Sequence, residues 1–239
     1  MKKALFIGYD PRELDAFVVA KTSLHHHSPF NNVNAILLRD MVKYGHYWRK
    51  TSRENGKLFD HISKATMSTE FAITRFLTYR LAKTMGADWA LFMDCDVLVR
   101  EDINVLFDLA DDKYAVMCVK HPDGRAAEQT KMDGQEQLKY ARKNWSSVML
   151  INCNHPSNEG LTSQLINEVP GRDLHAFCWL KDEEIGELPS EWNHLVGVDQ
   201  LNPDAKIAHF TLGVPTMPGC RDFEFSGEWF DRLLGYVRG

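Results

Sequence analysis

Two aspartates with one residue between them, Asp94 and Asp96, directly follow the apolar run Trp89–Met93. Because alternate side chains of a strand point to the same face, both carboxylates can turn toward one small volume beyond the strand end. Two carboxylates leaving an apolar strand are costly unless a cation compensates their charge, and oxygen ligands suit Mg²⁺ or Mn²⁺. The pair therefore predicts a divalent-cation site at the carboxyl end of a strand, where open α/β sheets bind their ligands.

Two other interpretations of the aspartate pair are open at this point. Acids in a turn after a strand are often merely solvated. In phosphatases of the haloacid-dehalogenase type a strand also ends in two such acids, and the first of them, here Asp94, would be the nucleophile that attacks phosphorus. Those enzymes need a second acidic pair after a later apolar strand, whereas Asp111-Asp112 precedes the next predicted strand. The order of the motifs therefore disfavours the phosphatase interpretation.

The elements that must position these acids alternate between apolar strand-like runs and helical patterns, which is typical of a mostly parallel sheet flanked by helices. Six strands are predicted, at residues 4–8, 33–38, 89–93, 114–120, 147–152 and 206–210. Helices are predicted after Asp10-Pro11, from a cap at Ser68 or Thr69 to residue 85, and at residues 102–109, 157–168, 172–180 and 228–238. The pattern predicts one α/β domain spanning residues 1–239.

Three local patterns add detail to this assignment. The side chains that share one face of the first helix, and are predicted to pack on the core, are Leu14, Phe17, Val18, Lys21 and Leu24. Residues 44–58 are polar and aromatic and contain two glycines, which predicts a long loop. The three consecutive histidines at 25–27 project about 100° apart on a helix, so they cannot converge on one metal ion.

The composition is that of an ordinary soluble globular protein, with 44% hydrophobic residues, 26% charged residues and a formal net charge of −5. Nucleic-acid-binding domains normally carry a basic face, so this charge disfavours nucleic acid as a partner. The five cysteines form no CxxC pair, which favours reduced thiols and a cytoplasmic location. No apolar stretch approaches the ~20 residues that span a bilayer, and the amphipathic last helix allows at most a peripheral membrane contact.

A helix that carries Arg75 precedes the strand of the two acids, and Asp102-Ile103 follow them. The later motifs come in a fixed order: residues 148–152, Leu188-Pro189 with Trp192-Asn193, and residues 207–210 with Gly213. This order resembles the core of the family 8 glycosyltransferases. The resemblance implies a GT-A fold and a metal-dependent enzyme that moves a sugar from a nucleotide-sugar such as a UDP-hexose to a hydroxyl of a glycan or another acceptor, with retention of configuration. A non-catalytic nucleotide-sugar-binding protein of the same fold also fits the sequence.

The resemblance also implies roles for individual residues. Asp94, Asp96 and His209 would be the metal ligands, and Mn²⁺ (or Mg²⁺) the cofactor, since a histidine nitrogen suits Mn²⁺ better than Ca²⁺. The residues that would bind the nucleotide are Gly8, Tyr9, Asp10, Arg75 and Asp94. The structural alternatives are a core histidine at 209, a packing tyrosine at 9 and a surface ion pair at 75.

The sequence departs from the family pattern at three places. Trp145, Ser146 and Ser147 occupy the position of small residues that precede the family's central strand, so these three are predicted to line the donor-sugar pocket. The family's lysine after its late glycine is missing, and the cations that could hold the second phosphate instead are Lys131, Arg142 and Lys143.

The third departure concerns the family's acidic-Gln pair, near whose position Asp182 and Glu183 stand. Retaining transfer passes through an oxocarbenium-like transition state that a carboxylate on the opposite face of the sugar can stabilise. Asp182 and Glu183 are therefore predicted as the catalytic carboxylates. The alternative is that they only keep a helix end soluble.

Overall fold

In the computed structural model the central layer is a six-stranded sheet, and the described residues are 1–30, 32–54, 56–122 and 142–238. The strands of this sheet are β1 (Lys3–Gly8), β2 (Val33–Ile36), β6 (Trp89–Met93), β8 (Val116–Cys118), β9 (Val148–Asn152) and β10 (Ile185–Glu187). Their order is β10-β8-β9-β6-β1-β2, and β9 alone of the six runs antiparallel to its neighbours. Every residue of β6 and β9 is buried, as expected for strands covered on both faces. The prediction of a mostly parallel α/β sheet is confirmed.

Two smaller sheets flank the central one. The first consists of β7 (Val97–Val99), β11 (His194–Leu195) and β12 (Ile207–His209), with β12 antiparallel to β7. The second consists of β3 (Thr51–Glu54), β4 (Lys57–Asp60) and β5 (Ala65–Thr66), all antiparallel. The prediction of a continuous loop at residues 44–58 is therefore wrong from residue 51 onward, since short strands made of polar residues lack the apolar alternation that signals a strand.

A buried ion pair ties this second small sheet to the body of the protein. Arg49 and Asp60 are both almost fully buried and lie 2.6 Å apart. Arg49 also donates to the carbonyl oxygen of Ile166, at 2.8 Å. Although burial alone would raise it, the pKa of Asp60 is lowered because Arg49 and Ser63 donate hydrogen bonds to the carboxylate. The charge is thus compensated where it is buried, as a stable structure requires.

Helices cover the sheets, and their bounds are α1 (Leu14–His27), α2 (Leu38–Lys43), α3 (Phe71–Thr74), α4 (Thr78–Thr84), α5 (Ile103–Phe107), α6 (Ser163–Glu168), α7 (Gly171–His175) and α8 (Ser226–Arg238). Three predictions need correction. Glu70, rather than Ser68 or Thr69, stands at the N-cap of α3, and its side chain makes no capping bond. The helices predicted at 157–168 and 172–180 are shorter in the structure, where they correspond to α6 and α7.

The face of α1 that packs on the core differs from the prediction. The buried residues are Ala16, Val19, Ala20, Ser23 and Leu24, whereas Leu14 is 54% exposed. Small side chains on this face let the helix approach β7 closely, and the hydroxyl of Ser23 accepts a hydrogen bond from the backbone of Val99 at 3.0 Å. A pattern based on hydrophobicity alone selects the larger side chains, so it finds Leu24 and the partly buried Phe17 but misses the small residues that pack closest to the core.

The last helix, α8, packs against α1, and its Trp229 is fully buried. The apolar face of α8 therefore docks on the core. Within the described part of the chain, no helix is both long enough and apolar enough to cross a membrane. All five cysteines, each at a described position, are free thiols.

Candidate active site

The two aspartates and His209 lie together at the carboxyl end of β6. One possible ligand atom from each of Asp94, Asp96 and His209 lies within 4.8 Å of the other two. Nε2 of His209 is 3.3 Å from Oδ1 of Asp96. Two carboxylates and one imidazole form a donor set that fits Mn²⁺ or Mg²⁺, with the nitrogen favouring Mn²⁺. The structure thus brings together three residues that the sequence analysis grouped.

The pairing of two short strands explains how His209 reaches this place. In the antiparallel pair of β12 and β7, His209 is opposite Val97. The backbone N–H of Phe210 donates to the carbonyl oxygen of Asp96 at 2.8 Å. His209 is therefore fixed beside the aspartates by backbone hydrogen bonds, although more than a hundred residues separate them in the sequence.

Arg75 is buried beside the same site. Its Nη1 lies 2.8 Å from Oδ1 of Asp94 and donates to the carbonyl oxygen of Ser146 at 3.0 Å. The guanidinium lies over the rings of Phe71 and Phe92, each at 5.3 Å. The ion pair is therefore part of the interior, and the surface alternative for Arg75 is excluded. Arg75 compensates one carboxylate charge, and a divalent cation would compensate the remaining negative charge.

The segment that precedes β9 runs along the edge of this site. Residues 144–147 begin with Asn144 in the left-handed conformation (φ 65°) and continue as a single 3-10 turn, Trp145–Ser147. The backbone N–H of Asp94 donates to the carbonyl oxygen of Ser147 at 2.9 Å. The indole of Trp145 donates to the carbonyl oxygen of His121 at 2.8 Å. The predicted donor-sugar residues therefore adjoin the aspartate pair.

Two residues that sequence reasoning did not single out as site residues hold this segment. His175 of α7 is hydrogen-bonded through Nδ1 to the hydroxyl of Ser146, at 2.7 Å. Burial, together with the charge of Arg75, holds the pKa of His175 well below its usual value of 6.5. Asn193 is fully buried and contacts both His209 and Ser147. Its position in the Trp192-Asn193 motif was the one available signal, but that motif carries no chemistry of its own.

Comparison with known proteins shows which family the chain belongs to. Residues 14–212 match the model of the glycosyl transferase family 8. The chain belongs to this family. It is 42% identical over 238 residues to Protein CDI of Arabidopsis thaliana, a match that covers 97% of this chain and 86% of that protein.

Solved glycosyltransferase structures show the same GT-A fold. The galactosyltransferase LgtC, solved with donor and acceptor sugar analogues, superimposes with a TM-score of 0.58 at 13% identity, over 97% of this chain and 95% of that one. The apo structure of the bifunctional glycosyltransferase WbbM gives a TM-score of 0.61 at 14% identity, and the match covers 97% of this chain but only 49% of WbbM. Because the chain belongs to the glycosyl transferase family 8, the protein is a glycosyltransferase, and the phosphatase interpretation is wrong.

In this family 8 member the end of β1 is tightly packed. A Cβ atom added at Gly8 would lie 2.4 Å from the ring of Phe71, so only glycine fits there. The ring of Tyr9 packs edge-on against Phe17, with centroids 5.1 Å apart. Asp10 is fully buried and accepts hydrogen bonds from Arg12 and from the backbone of Glu70. Although burial opposes it, these bonds lower the pKa of Asp10. Its carboxylate organises the turn after β1 instead of standing open to a ligand.

The structure places Asp182 and Glu183 away from the aspartate pair. Asp182 and Glu183 precede β10, which runs in the same direction as β6. They therefore lie at the edge of the central sheet where these strands begin, whereas Asp94 lies at the opposite edge, where β6 ends. The carboxylate of Asp182 is 88% exposed and pairs with Arg142. A direct catalytic role for either residue is therefore not supported. Of the predicted phosphate-binding cations, Arg142 also lies over the ring of Trp145, while Lys131 lies outside the described residues.

Proposed function

We propose that this glycosyltransferase binds Mn²⁺ (or Mg²⁺) through Asp94, Asp96 and His209 and transfers a hexose from a UDP-hexose to a hydroxyl group of a glycan or another acceptor. The observation that carries the proposal is the cluster of these three side chains, whose ligand atoms lie within 4.8 Å of one another. When bound, a divalent cation would neutralise the charge of the diphosphate leaving group. The arrangement of oxygen and nitrogen ligands at a strand end suits that task.

The residues around the cluster have separate tasks in this proposal. Arg75 holds Asp94 and the carbonyl oxygen of Ser146 in one fixed geometry. Trp145, Ser146 and Ser147 form the wall next to the donor sugar. Tyr9 offers an aromatic ring to the nucleoside at the end of β1. Asp10 acts indirectly, through the turn that its hydrogen bonds stabilise.

Calorimetry tests the shared site for metal and nucleotide. UDP is titrated into the protein with Mn²⁺ and again with a chelator, and the proposal requires much weaker binding in the chelator. Asp96→Ala removes one oxygen ligand, so it should abolish the effect of Mn²⁺ on UDP binding. The matched control is Asp231→Ala, which removes an exposed acid of α8. Equal UDP affinity with and without the metal would overturn the proposal.

The stereochemical course and the catalytic activity need their own tests. We propose retention of configuration, in line with the family resemblance, and NMR of the product anomer checks it. An inverted product would contradict that part alone. Tight UDP-hexose binding without sugar transfer to any acceptor, and without donor hydrolysis, would favour the non-catalytic alternative. We also propose that residues 1–239 form a single catalytic unit and that the protein is cytoplasmic, the second because its cysteines are scattered and form no CxxC pair.

A further inference from the structure

The side chain of Asn193 connects the metal-ligand cluster to the donor-sugar segment. It is fully buried between β12 and residues 144–147. Its Nδ2 lies 3.2 Å from the carbonyl oxygen of Asn144 and 3.1 Å from the hydroxyl of Ser147. Its Oδ1 lies 2.9 Å from Nδ1 of His209. One amide group therefore contacts both parts of the site.

The contacts fix which way the amide points. A backbone carbonyl can only accept a hydrogen bond, so the amide nitrogen must face Asn144 and the amide oxygen must face His209. The hydroxyl of Ser147 donates to the same carbonyl of Asn144 at 2.6 Å, which leaves the Ser147 oxygen able to accept from Asn193. Both amide hydrogens and the amide oxygen thus have matching partners.

The orientation of Asn193 in turn fixes the tautomer of His209. Because Oδ1 of Asn193 can only accept, Nδ1 of a neutral His209 must carry the ring proton. The lone pair then lies on Nε2, the nitrogen that faces Asp96 at 3.3 Å. Hydrogen bonds of this kind to the second ring nitrogen orient metal-binding histidines and raise their basicity.

We propose that Asn193 is a positioning residue that orients both the metal ligand His209 and the donor-sugar segment. This rests on the proposed function for the identity of both ligands. The bonds close a ring, since the backbone N–H of Asp94 donates to Ser147 at 2.9 Å and His209 contacts Asp96. A change at Asn193 therefore disturbs the metal ligand and the sugar wall together. Ser147→Ala removes only the hydroxyl: it keeps the backbone carbonyl that accepts from Asp94 and the contact between Asn193 and His209.

Three variants separate these two effects. Asn193→Asp keeps an oxygen toward His209, so Mn²⁺ affinity should stay within about threefold of that of the unaltered protein. The same variant removes both bonds that Asn193 donates to the donor-sugar segment, so the extra affinity for UDP-hexose over UDP should fall about tenfold or more. Asn193→Leu removes the contact to His209 as well, and Mn²⁺ affinity should fall about 10–100-fold. Ser147→Ala should reduce the sugar contribution and leave Mn²⁺ affinity unchanged. Asn32→Asp, at an exposed position, is the control for the added charge.

The tautomer of His209 provides a test that needs neither ligand nor transfer activity. Ring ¹⁵N shifts of the metal-free protein, assigned with a His209→Gln variant, should show the proton on Nδ1 at neutral pH. A proton on Nε2 alone, or Mn²⁺ affinity in Asn193→Leu equal to that of the unaltered protein, would overturn the proposal. If the unaltered protein binds no Mn²⁺ or UDP while the tautomer is as expected, the proposed function fails but the orientation by Asn193 holds.

Discussion

At the scale of single residues, the metal-ligand cluster could be predicted from the sequence but its supporting residues could not. Asp94 and Asp96 follow a strongly apolar strand, and strand geometry puts alternate side chains on one side. His209 was predicted as a metal ligand from the order of the family's motifs. Asn193 and His175 act through contacts with residues distant in sequence, and nothing in their local patterns signals those contacts. The distance of Asp182 and Glu183 from the aspartate pair could not be predicted for the same reason, since the sheet order that separates them from Asp94 depends on the whole fold.

The exposed position of Asp182 leads to a prediction about catalysis. Asp182→Asn removes a charge that is 88% exposed and that pairs across the surface with Arg142, and such pairs contribute little. We expect kcat/KM for donor hydrolysis or transfer within about threefold of the unaltered enzyme, whereas removal of a group that stabilises the transition state costs about a hundredfold or more. A hundredfold loss with unchanged UDP affinity would return Asp182 to a catalytic role.

At the scale of elements, five of the six strands of the central sheet were predicted, and β6 and β9 most closely, because their apolar runs are buried on both faces. The three-residue strand β10 was not predicted. Elements with little apolar signal were not predicted either. The strands β3, β4 and β5 contain mostly polar residues, and their place is set by hydrogen bonds and by the Arg49–Asp60 pair. The contact between α7 and the donor-sugar segment is likewise polar, formed by His175 and Ser146.

This contact predicts how stability depends on pH. In the folded protein, burial and the charge of Arg75 lower the pKa of His175 well below 6.5, whereas in the unfolded chain the imidazole takes up a proton near pH 6.5. Below about pH 6.5 the unfolded state therefore holds more protons, and the free energy of unfolding falls as pH falls, by up to about 1.4 kcal/mol per pH unit from this residue.

Urea unfolding between pH 5 and 7.5 measures this dependence. His175→Gln cannot titrate, so its free energy of unfolding should vary less over this range than that of the unaltered protein. His25→Gln, at an exposed helix end, serves as the control and should leave the dependence unchanged. An unaltered slope in His175→Gln would contradict the assignment.

At the scale of the whole molecule, the candidate site exists only when distant parts of the chain meet. Asp94 follows strand β6 of the central sheet, and His209 lies in the small sheet of β7, β11 and β12. Arg75 directly follows α3 in the sequence and pairs with Asp94. The unfolded chain therefore lacks the three-dimensional site, and a ligand that binds to this site must stabilise the folded state. This makes thermal stability a readout of the assembled site.

We expect Mn²⁺ and UDP together to raise the melting temperature. At a ligand concentration about 100 times the Kd, binding stabilises the folded state by about 2.7 kcal/mol. For a protein of this size, each 1 kcal/mol corresponds to about 2–4 °C, so the shift should be about 5–10 °C. A chelator should remove most of the shift, because without the cation the negatively charged diphosphate is repelled by the carboxylates of Asp94 and Asp96. His209→Gln should lose most of it as well, while the exposed-site variant Asp231→Ala should retain it. A full shift by UDP in the presence of chelator would show that nucleotide binding does not depend on the cation, and would contradict the joint site of Asp94, Asp96 and His209.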